Sequence, residues 1–401
     1  MPLSQEKTHI AVFALITALC LFGDSMLYVV LPVHFEDAGL TSLWQVGVIL
    51  AMNRIIRLPL NPCIGYVYRH ISERTGILIA VFLGVGTTFA YGFLDSFAWW
   101  VLARCVWGLA WTLLRLGSLF CILKLSTPAD RGQLTGLYNG LYRLGSLVGM
   151  LAGGILADTA GIRATAVIFG CLGLPAFVLT FLFIPKGGPD ERDCGSGLGL
   201  REGFALIARD GKTVWLIITG GVAALVLQGA VAATLSRLID VHTGGEVFLW
   251  GTAVGAASLA GFFQALRWGW EPWLAPRVGG LADRRFGWQR MFVYTLSSGA
   301  LFFALLALPL PLAVWFACIL GLQLAATSLN TVAEAGAADV ASETGGRVLL
   351  MHYALTVDIG AALGPLIAYG VNGLFGINAV YALCAVLLAP LALVWRARGR
   401  V

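Results

Sequence analysis

The sequence has 401 residues, of which 59% are hydrophobic and 12% are charged, and its mean hydropathy is +0.85. A soluble domain has about 25% charged residues and about half apolar ones, so this chain lacks the polar residues to cover a water-facing surface. The composition therefore argues against a soluble enzyme, a nucleic-acid binder or a disordered scaffold, and the net charge of +5 requires no nucleic-acid partner.

Long apolar runs between polar segments predict twelve transmembrane helices. Each run reaches the ~20 residues that cross a hydrocarbon core of about 30 Å, whereas a β-barrel would show short alternating segments. The predicted spans in chain order are 10–33, 44–66, 76–95, 98–124, 133–158, 162–185, 214–239, 247–276, 289–308, 311–334, 346–372 and 376–396. The expected fold class is therefore an all-α membrane protein.

One long polar stretch, residues 186–213, divides the predicted spans into six and six. It opens with a cluster of proline and glycine followed by charged residues, which is the composition of a linker. We therefore expect an N-terminal six-helix bundle over residues 1–185, a cytoplasmic linker over 186–213 and a C-terminal six-helix bundle over 214–401.

The charges of the predicted loops indicate the orientation of the chain. When both termini are placed in the cytoplasm, the inner loops carry most of the arginine and lysine residues, while Arg163 is the only such residue in the outer loops. This asymmetry follows the positive-inside rule. We expect a monomeric, multi-pass protein in the bilayer of the cell's inner or plasma membrane, with both termini cytoplasmic.

The sequence offers no motif for a metal, a cofactor or a nucleotide. Seven of the eight cysteines lie in apolar runs and Cys194 lies in the polar stretch, with no CxxC spacing. They are expected to be small buried side chains rather than disulfides or metal ligands. The phosphate-binding pattern GxxxxGK[ST] is absent, which argues against ATP-driven transport by this chain alone. We predict no metal, no cofactor and no enzymatic activity.

A glycine pattern repeats between the two halves. Gly145, Gly149 and Gly153 recur at four-residue steps in the predicted fifth span, and Gly360 and Gly364 repeat this spacing in the eleventh. Residues four apart lie on one helix face, where glycines let another backbone approach closely. Each pattern lies in the fifth helix of its half, which indicates an internal repeat.

Three motifs at these helix positions resemble the major facilitator superfamily, over essentially the whole chain. The loop 280–290, GLADRRFGWQR, is similar to the family's signature loop, the stretch 145–154 to the fifth-helix motif of its exporters, and 104–108 to a fourth-helix motif. The resemblance implies two pseudo-symmetric six-helix bundles that rock around a central cavity, and it favours proton-coupled export. The gating residues that it implies are Gly145, Gly149, Gly153, Asp283 and Arg284.

The first half carries an excess of arginine inside its predicted spans. It has one acid, Asp24, and five arginines, which are Arg54, Arg57, Arg104, Arg115 and Arg143. A charge inside the membrane is costly and usually faces a cavity or a partner. One carboxylate cannot neutralise five arginines, so the surplus favours an anionic ligand. Arg115 and Arg143 lie nearer the inner side and are expected to act in gating.

The second half contributes amides and carboxylates to its predicted spans. The substrate-binding residues that we predict from both halves are Tyr28, Arg54, Arg57, Arg104, Trp111, Gln323 and Asn330. A proton antiporter also needs an acid that takes up a proton on one side and releases it on the other. Asp24 is our first candidate for this role, followed by Asp358 and Glu271.

Two functions fit these residues. The main hypothesis is a secondary active transporter, a proton-coupled exporter of a small anionic or zwitterionic metabolite, such as an amino-acid-derived, polycarboxylate metal chelator. The alternative is a broad-range drug exporter, also a proton antiporter, in which the arginines are paired internally. A receptor that does not transport is disfavoured, because the sequence contains no sensory or signalling domain.

Overall fold

The computed structural model describes residues 5–125, 131–184, 210–249, 252–343 and 347–398. Its first six helices are α1 (Gln5–Val30), α2 (Leu43–Val67), α3 (Glu73–Ala90), α4 (Phe97–Leu125), α5 (Arg131–Gly173) and α6 (Pro175–Phe183). Next, α7 (Gly211–Ala223) continues through a π-helical segment (Ala224–Val231) into α8 (Ala232–Thr243), and a hairpin follows, made of β1 (Glu246–Leu249) and β2 (Thr252–Gly255). The remaining elements are α9 (Ala256–Leu281), a π-helical segment (Ala282–Phe286), α10 (Trp288–Leu306), α11 (Leu312–Glu343), α12 (Arg347–Phe375) and α13 (Ile377–Arg398).

The predicted all-α membrane fold is confirmed. In the described residues, nine helical stretches are long and apolar enough to cross a membrane. One of them, Gln133–Phe183, contains two predicted spans, because the helix breaks at Gly161, where φ is +81°. The helices α9 and α10 correspond to the predicted eighth and ninth spans. They are not among these nine stretches, because polar residues such as Arg267 and Arg290 lower their mean hydropathy. Twelve membrane passages are consistent with these helices.

The predicted start of the eighth span at residue 247 is wrong. Residues Glu246–Leu249 and Thr252–Gly255 form an antiparallel hairpin, and the helix begins only at Ala256. Gly244 and Gly245 precede the hairpin with φ values of +75° and +107°, a conformation that favours glycine and ends α8. The apolar residues of this short stretch therefore belong to strands rather than to the membrane helix.

The chain divides into two compact units. The first contains residues 1–194 and 243–265, and the second contains residues 195–242 and 266–401. The hairpin and the first part of α9 thus belong to the same unit as the first six helices. The predicted division at 186–213 stays a prediction, because most of that linker, including Cys194, lies outside the described residues.

In the first unit, the glycine ridge of α5 packs directly against α1. A Cβ atom on Gly149 would lie 2.9 Å from the carbonyl oxygen of Phe22, and one on Gly153 would lie 2.6 Å from Cβ of Met26. A Cβ on Gly145 would overlap the backbone of Ala18. The close helix approach predicted from the glycine spacing is therefore confirmed, while the gating role of these glycines stays a prediction.

The second unit repeats this packing between its own fifth and first helices. A Cβ atom on Gly364 of α12 would lie 2.5 Å from Cα of Gly229, in the π-helical segment that follows α7. Gly360 fits in the same way against the backbone of Gly221. The internal repeat seen in the sequence is thus also a repeat of helix packing.

Candidate substrate and proton site

The carboxylate of Asp24 on α1 forms a buried ion pair in the first unit. Its Oδ1 atom accepts a hydrogen bond from Nη1 of Arg104 at 2.5 Å and another from Nδ2 of Asn53 at 3.2 Å. Arg104 lies on α4 and Asn53 on α2, so three helices meet at one oxygen atom. Within the described residues, these two side chains are the polar partners of Asp24.

The two members of the pair differ in exposure. Arg104 is completely buried, and its guanidinium group also donates to the carbonyl oxygen of Ile49 at 3.2 Å and to the hydroxyl of Tyr91 at 3.4 Å. The Asp24 side chain is 11% exposed to solvent. Because arginine stays protonated in proteins, the carboxylate is the member of the pair that can accept a proton from outside the site.

Two glycines explain why these helices approach closely enough to form the pair. A Cβ atom on Gly108 of α4 would lie 2.9 Å from the carbonyl oxygen of Asn53, and one on Gly23 of α1 would overlap Thr88 of α3. The sequence prediction did not include Asn53 or Tyr91 among the site residues. The available signal for Asn53 was a polar side chain directly before Arg54, inside the predicted second span.

Asp24, Arg54, Arg57 and Arg104 are the charged residues of the first half that the sequence predicted for proton coupling and substrate binding. The structure brings Asp24 and Arg104 together, while Arg54 and Arg57 are half-buried on α2 and do not bond to Asp24 among its described contacts. The substrate contacts predicted for these arginines stay predictions. For Arg104, such a contact would require the guanidinium group to leave its present burial.

Aromatic side chains lie below the ion pair along α4. Trp107 and Trp111 are buried with their rings 6.5 Å apart, and Trp111 meets Tyr142 of α5 edge-on at 5.8 Å. Both indole Nε1 atoms are buried without a hydrogen-bond partner in the described part of the chain. Tyr28, one turn after Asp24, is also buried. Trp107 and Trp111 belong to the hydrophobic core of the first unit, Tyr142 packs against this core, and the two indole N–H groups have no partner among the described residues.

The predicted inner-side arginines differ from Arg104 in exposure. Arg115 is exposed on α4, one turn beyond Trp111, and Arg143 is half-buried on α5. The other predicted gating residues, Asp283 and Arg284, lie in the π-helical segment Ala282–Phe286, and their side chains are outside what the structure describes. Their gating roles therefore stay predictions.

In the second unit, Gln323 on α11 is buried to 1% exposure. Neither the nitrogen nor the oxygen of its amide has a hydrogen-bond partner among the described residues. One turn further on, the hydroxyl of Thr327 accepts a hydrogen bond from Nε1 of Trp270 at 3.2 Å. Buried amides are normally satisfied, so the unpartnered amide makes Gln323 a candidate for contact with a ligand.

The remaining predicted site residues of the second unit are half-buried. They are Asn330 on α11, Glu271 on α9 and Asp358 on α12. Groups of three or more His, Cys, Asp or Glu residues that are able to hold a metal ion do not occur in the described residues.

Comparison with known proteins gives a family match over most of the chain. Residues 13–348 match the family model described as the Major Facilitator Superfamily. The multidrug resistance protein MdtG of Serratia proteamaculans (strain 568) is 24% identical over 387 residues, which cover 91% of this chain and 87% of that protein. The staphyloferrin B transporter of Staphylococcus aureus (strain NCTC 8325 / PS 47) is 25% identical over 284 residues, or 67% of this chain and 63% of that protein.

Solved structures resemble the fold over the full length. The nucleoside transporter NupG superposes with a TM-score of 0.77 at 16% identity, covering 99% of both chains. A bacterial homologue of the human lysosomal transporter Spinster, in an inward-facing and unoccupied conformation, gives 0.75 at 13% identity and covers 100% of this chain and 98% of its own. At these identities the likeness concerns the fold alone.

Proposed function

We propose that this chain, which belongs to the Major Facilitator Superfamily and is a multi-pass membrane transporter, exports a small anionic or zwitterionic metabolite in exchange for protons. The observation that carries the proposal is the ion pair between Asp24 and Arg104, in which the carboxylate is partly exposed and the guanidinium group is completely buried. The partial exposure of this carboxylate gives protons a route to it.

Proton uptake and substrate release are linked when substrate and proton compete for Asp24. A zwitterionic substrate would place its ammonium group against the carboxylate of Asp24 and its own carboxylate against an arginine, so that the carboxylate of Asp24 holds either the substrate or a proton. Proton uptake on the outside then displaces the substrate, and loss of the proton on the inside frees the carboxylate for the next one. The linkage requires that substrate and proton meet in the same network, and Arg54 and Arg57 are the half-buried arginines nearest in the chain to Asn53.

The second unit supplies groups that suit a zwitterion. The amide of Gln323 is able to donate to a carboxylate and to accept from an ammonium group, and its two polar atoms are unused within the described residues. Asn330, two turns further along α11, offers the same pair of atoms. A relative named as a staphyloferrin B transporter supports a substrate other than a drug, and an amino-acid-derived, polycarboxylate metal chelator is the class that we favour.

The test of coupling uses Asp24→Asn, which keeps the shape of the side chain and removes its proton. In membrane vesicles, we expect this variant to exchange substrate with substrate at a rate near that of the wild type, and to lose accumulation driven by a pH gradient. Equal accumulation by Asp24→Asn and wild type contradicts the proposed role of Asp24.

The test of the substrate class uses Arg54→Ala and Arg57→Ala. We expect weaker binding of a polycarboxylate such as citrate, with partial rescue by lysine, which lacks the bidentate geometry of arginine. Unchanged affinity in both alanine variants would mean that these arginines are structural.

A multidrug exporter is the second candidate function. It is favoured by the MdtG relatives, which match 91% of this chain, and by the aromatic cluster of Trp107, Trp111 and Tyr142. The two functions differ in what competes for transport. Efflux of a lipophilic cationic dye that is inhibited by other cations and not by polycarboxylates would favour this second function.

A further inference from the structure

Gln228 is a polar residue near the middle of Gly211–Thr243, the helical stretch with which the described part of the second unit begins. It lies in the π-helical segment Ala224–Val231, in which every other residue is apolar or glycine. A polar side chain inside a membrane span is costly unless it is hydrogen-bonded or faces water or the interior of the bundle. The position of Gln228 in the span therefore requires an explanation.

The amide of Gln228 makes no hydrogen bond to another residue in the part of the chain that the structure describes. Its side chain is half-buried, so part of its surface is open. The preceding residue, Leu227, is by contrast buried to 1% exposure. The amide is thus within reach of water or of a ligand.

In the first unit, the contacts of one ridge glycine define the position of Asp24. A Cβ atom on Gly149 of α5 would lie 2.9 Å from the carbonyl oxygen of Phe22 and 3.0 Å from Cβ of Ser25, both on α1. These two contact residues are three positions apart, which is the spacing of one helical face. Asp24 comes directly before the second of them.

In the second unit, Gln228 holds the corresponding position. A Cβ atom on Gly364 of α12 would overlap the carbonyl oxygen of Leu225 and lie 2.5 Å from Cα of Gly229. Here the contact residues are four positions apart, because a π-helical turn closes its hydrogen bond over one more residue than an α-helical turn. Gln228 comes directly before the second contact residue, as Asp24 does on α1.

The π-helical segment thus has a specific effect on this position. Without its extra residue, the apolar side chain of Leu227 would correspond to Asp24, whereas the segment places an amide there. Short π-helical segments within α-helices often occur at functional sites. The irregular backbone, the open amide and the correspondence with Asp24 are three separate observations on one residue.

We propose that Gln228 faces water along the route of the substrate and binds a polar group of the substrate, as the uncharged counterpart of Asp24. This inference rests on the proposed transport of a polar metabolite and adds a residue to its binding site. An amide donates through its nitrogen atom and accepts through its oxygen atom, and it does not titrate. At this position the second unit binds substrate without exchanging a proton.

The first test asks whether water reaches Gln228, and it requires no substrate. Gln228→Cys is made in full-length protein whose native cysteines are replaced, in lipid nanodiscs, and is treated with a charged, water-soluble maleimide. We expect it to react about tenfold faster than Leu227→Cys, because a thiol in apolar surroundings stays protonated and inert. Leu301→Cys is the lipid control. Leu301 is an exposed leucine in an apolar run of α10, and the cysteine should react slowly although its position is exposed.

The second test changes the charge at position 228 and measures the binding of two probes, citrate and the lipophilic cation tetraphenylphosphonium. At pH ~8, above the ordinary pKa of glutamate, Gln228→Glu should weaken binding of citrate and strengthen binding of the cation. Gln228→Lys should do the reverse. We expect each change to be about tenfold, as for a charge pair in contact with limited access of water.

A matched control makes the same substitution away from the proposed site. Gln45 is a half-buried glutamine at the start of α2, and its side-chain oxygen accepts a hydrogen bond from the backbone N–H of Thr41. Gln45→Glu keeps this acceptor and should leave both affinities at the wild-type value. Melting temperatures of all variants show whether each one is folded.

Two results would overturn the proposed role of Gln228. One is labelling of Gln228→Cys that is no faster than labelling of Leu227→Cys. The other is binding of a probe by the wild type with an affinity that both Gln228→Glu and Gln228→Lys leave unchanged. Fast labelling of Gln228→Cys in a protein that binds neither probe would support the exposure of Gln228 to water and contradict the proposed substrate classes.

Discussion

Neutralising Asp24 should destabilise the first unit strongly, because Arg104 cannot escape its burial. In Asp24→Asn, the guanidinium group keeps its bonds to Ile49 and Tyr91 and loses its counter-charge, in a site where its exposure is 0%. Removing one partner of a buried ion pair costs about 3–5 kcal/mol. Because the Asp24 side chain is 11% exposed and some water reaches the pair, we expect the lower end of this range.

That cost is measurable as a loss of thermal stability. For a unit of this size, a change of 1 kcal/mol moves the melting temperature by about 2–4 °C, so a cost of about 3 kcal/mol corresponds to a decrease of about 6–12 °C. The thirteen tryptophans allow unfolding to be followed by intrinsic fluorescence in detergent.

A double variant separates loss of charge pairing from loss of packing. Asp24→Asn combined with Arg104→Met removes both charges, and it should recover much of the stability that Asp24→Asn loses. The matched control is the exposed pair Asp95–Arg163, whose side chains are 63% and 62% exposed. Asp95→Asn should cost about 0–1 kcal/mol. Additive losses in the double variant, or equal losses at Asp24 and Asp95, would refute this account of the pair.

Three further predictions concern the glycine contact between α5 and α1, the helix cap at Asp210 and the buried amide of Gln323. Gly145→Val should prevent folding or reduce expression sharply, because its side chain would overlap the backbone of α1, whereas Gly140→Ala, with open space around it, should express normally. Asp210→Ala should lower stability by about 1 kcal/mol, since Asp210 caps α7. The hydrogen bond from the Thr213 hydroxyl lowers the pKa of Asp210, so the cap's contribution should be present above pH ~4 and lost as the pH falls through the lowered value; melting temperatures across this range check the sign. Gln323→Leu should raise KM for export without lowering stability, as measured by transport and unfolding on the same preparation, because its amide has no partner to lose within the described residues.

The sequence predicted the fold because composition and periodicity are local properties. The helix break between the fifth and sixth spans falls at Gly161, inside the short gap 159–161 that the sequence indicated. The glycine ridge of α5 required no partner to be known, since spacing alone places Gly145, Gly149 and Gly153 on one face. The hairpin at 246–255 was missed because its short apolar stretch resembles the start of a membrane helix.

Local sequence patterns do not identify which arginine pairs with Asp24. Arg54, Arg57 and Arg104 are equivalent in residue type, and the choice among them depends on how closely the helices pack at Gly23 and Gly108. The hydrogen bonds from Ser258 to Asp158 were missed for the same reason. Asp158 and Ser258 are 100 residues apart, and each reads as an ordinary polar residue at the end of a span.

The central claim, proton-driven export of an anionic or zwitterionic metabolite, is tested most directly by mass spectrometry of the culture medium. Cells that express the wild-type protein, Asp24→Asn or no transporter are compared, with the amount of each protein in the membrane measured in parallel. The account predicts that a compound carrying carboxylates accumulates in the medium with the wild type and not with Asp24→Asn. Medium that is the same with and without the wild-type protein, together with efflux of lipophilic cationic dyes, would contradict it.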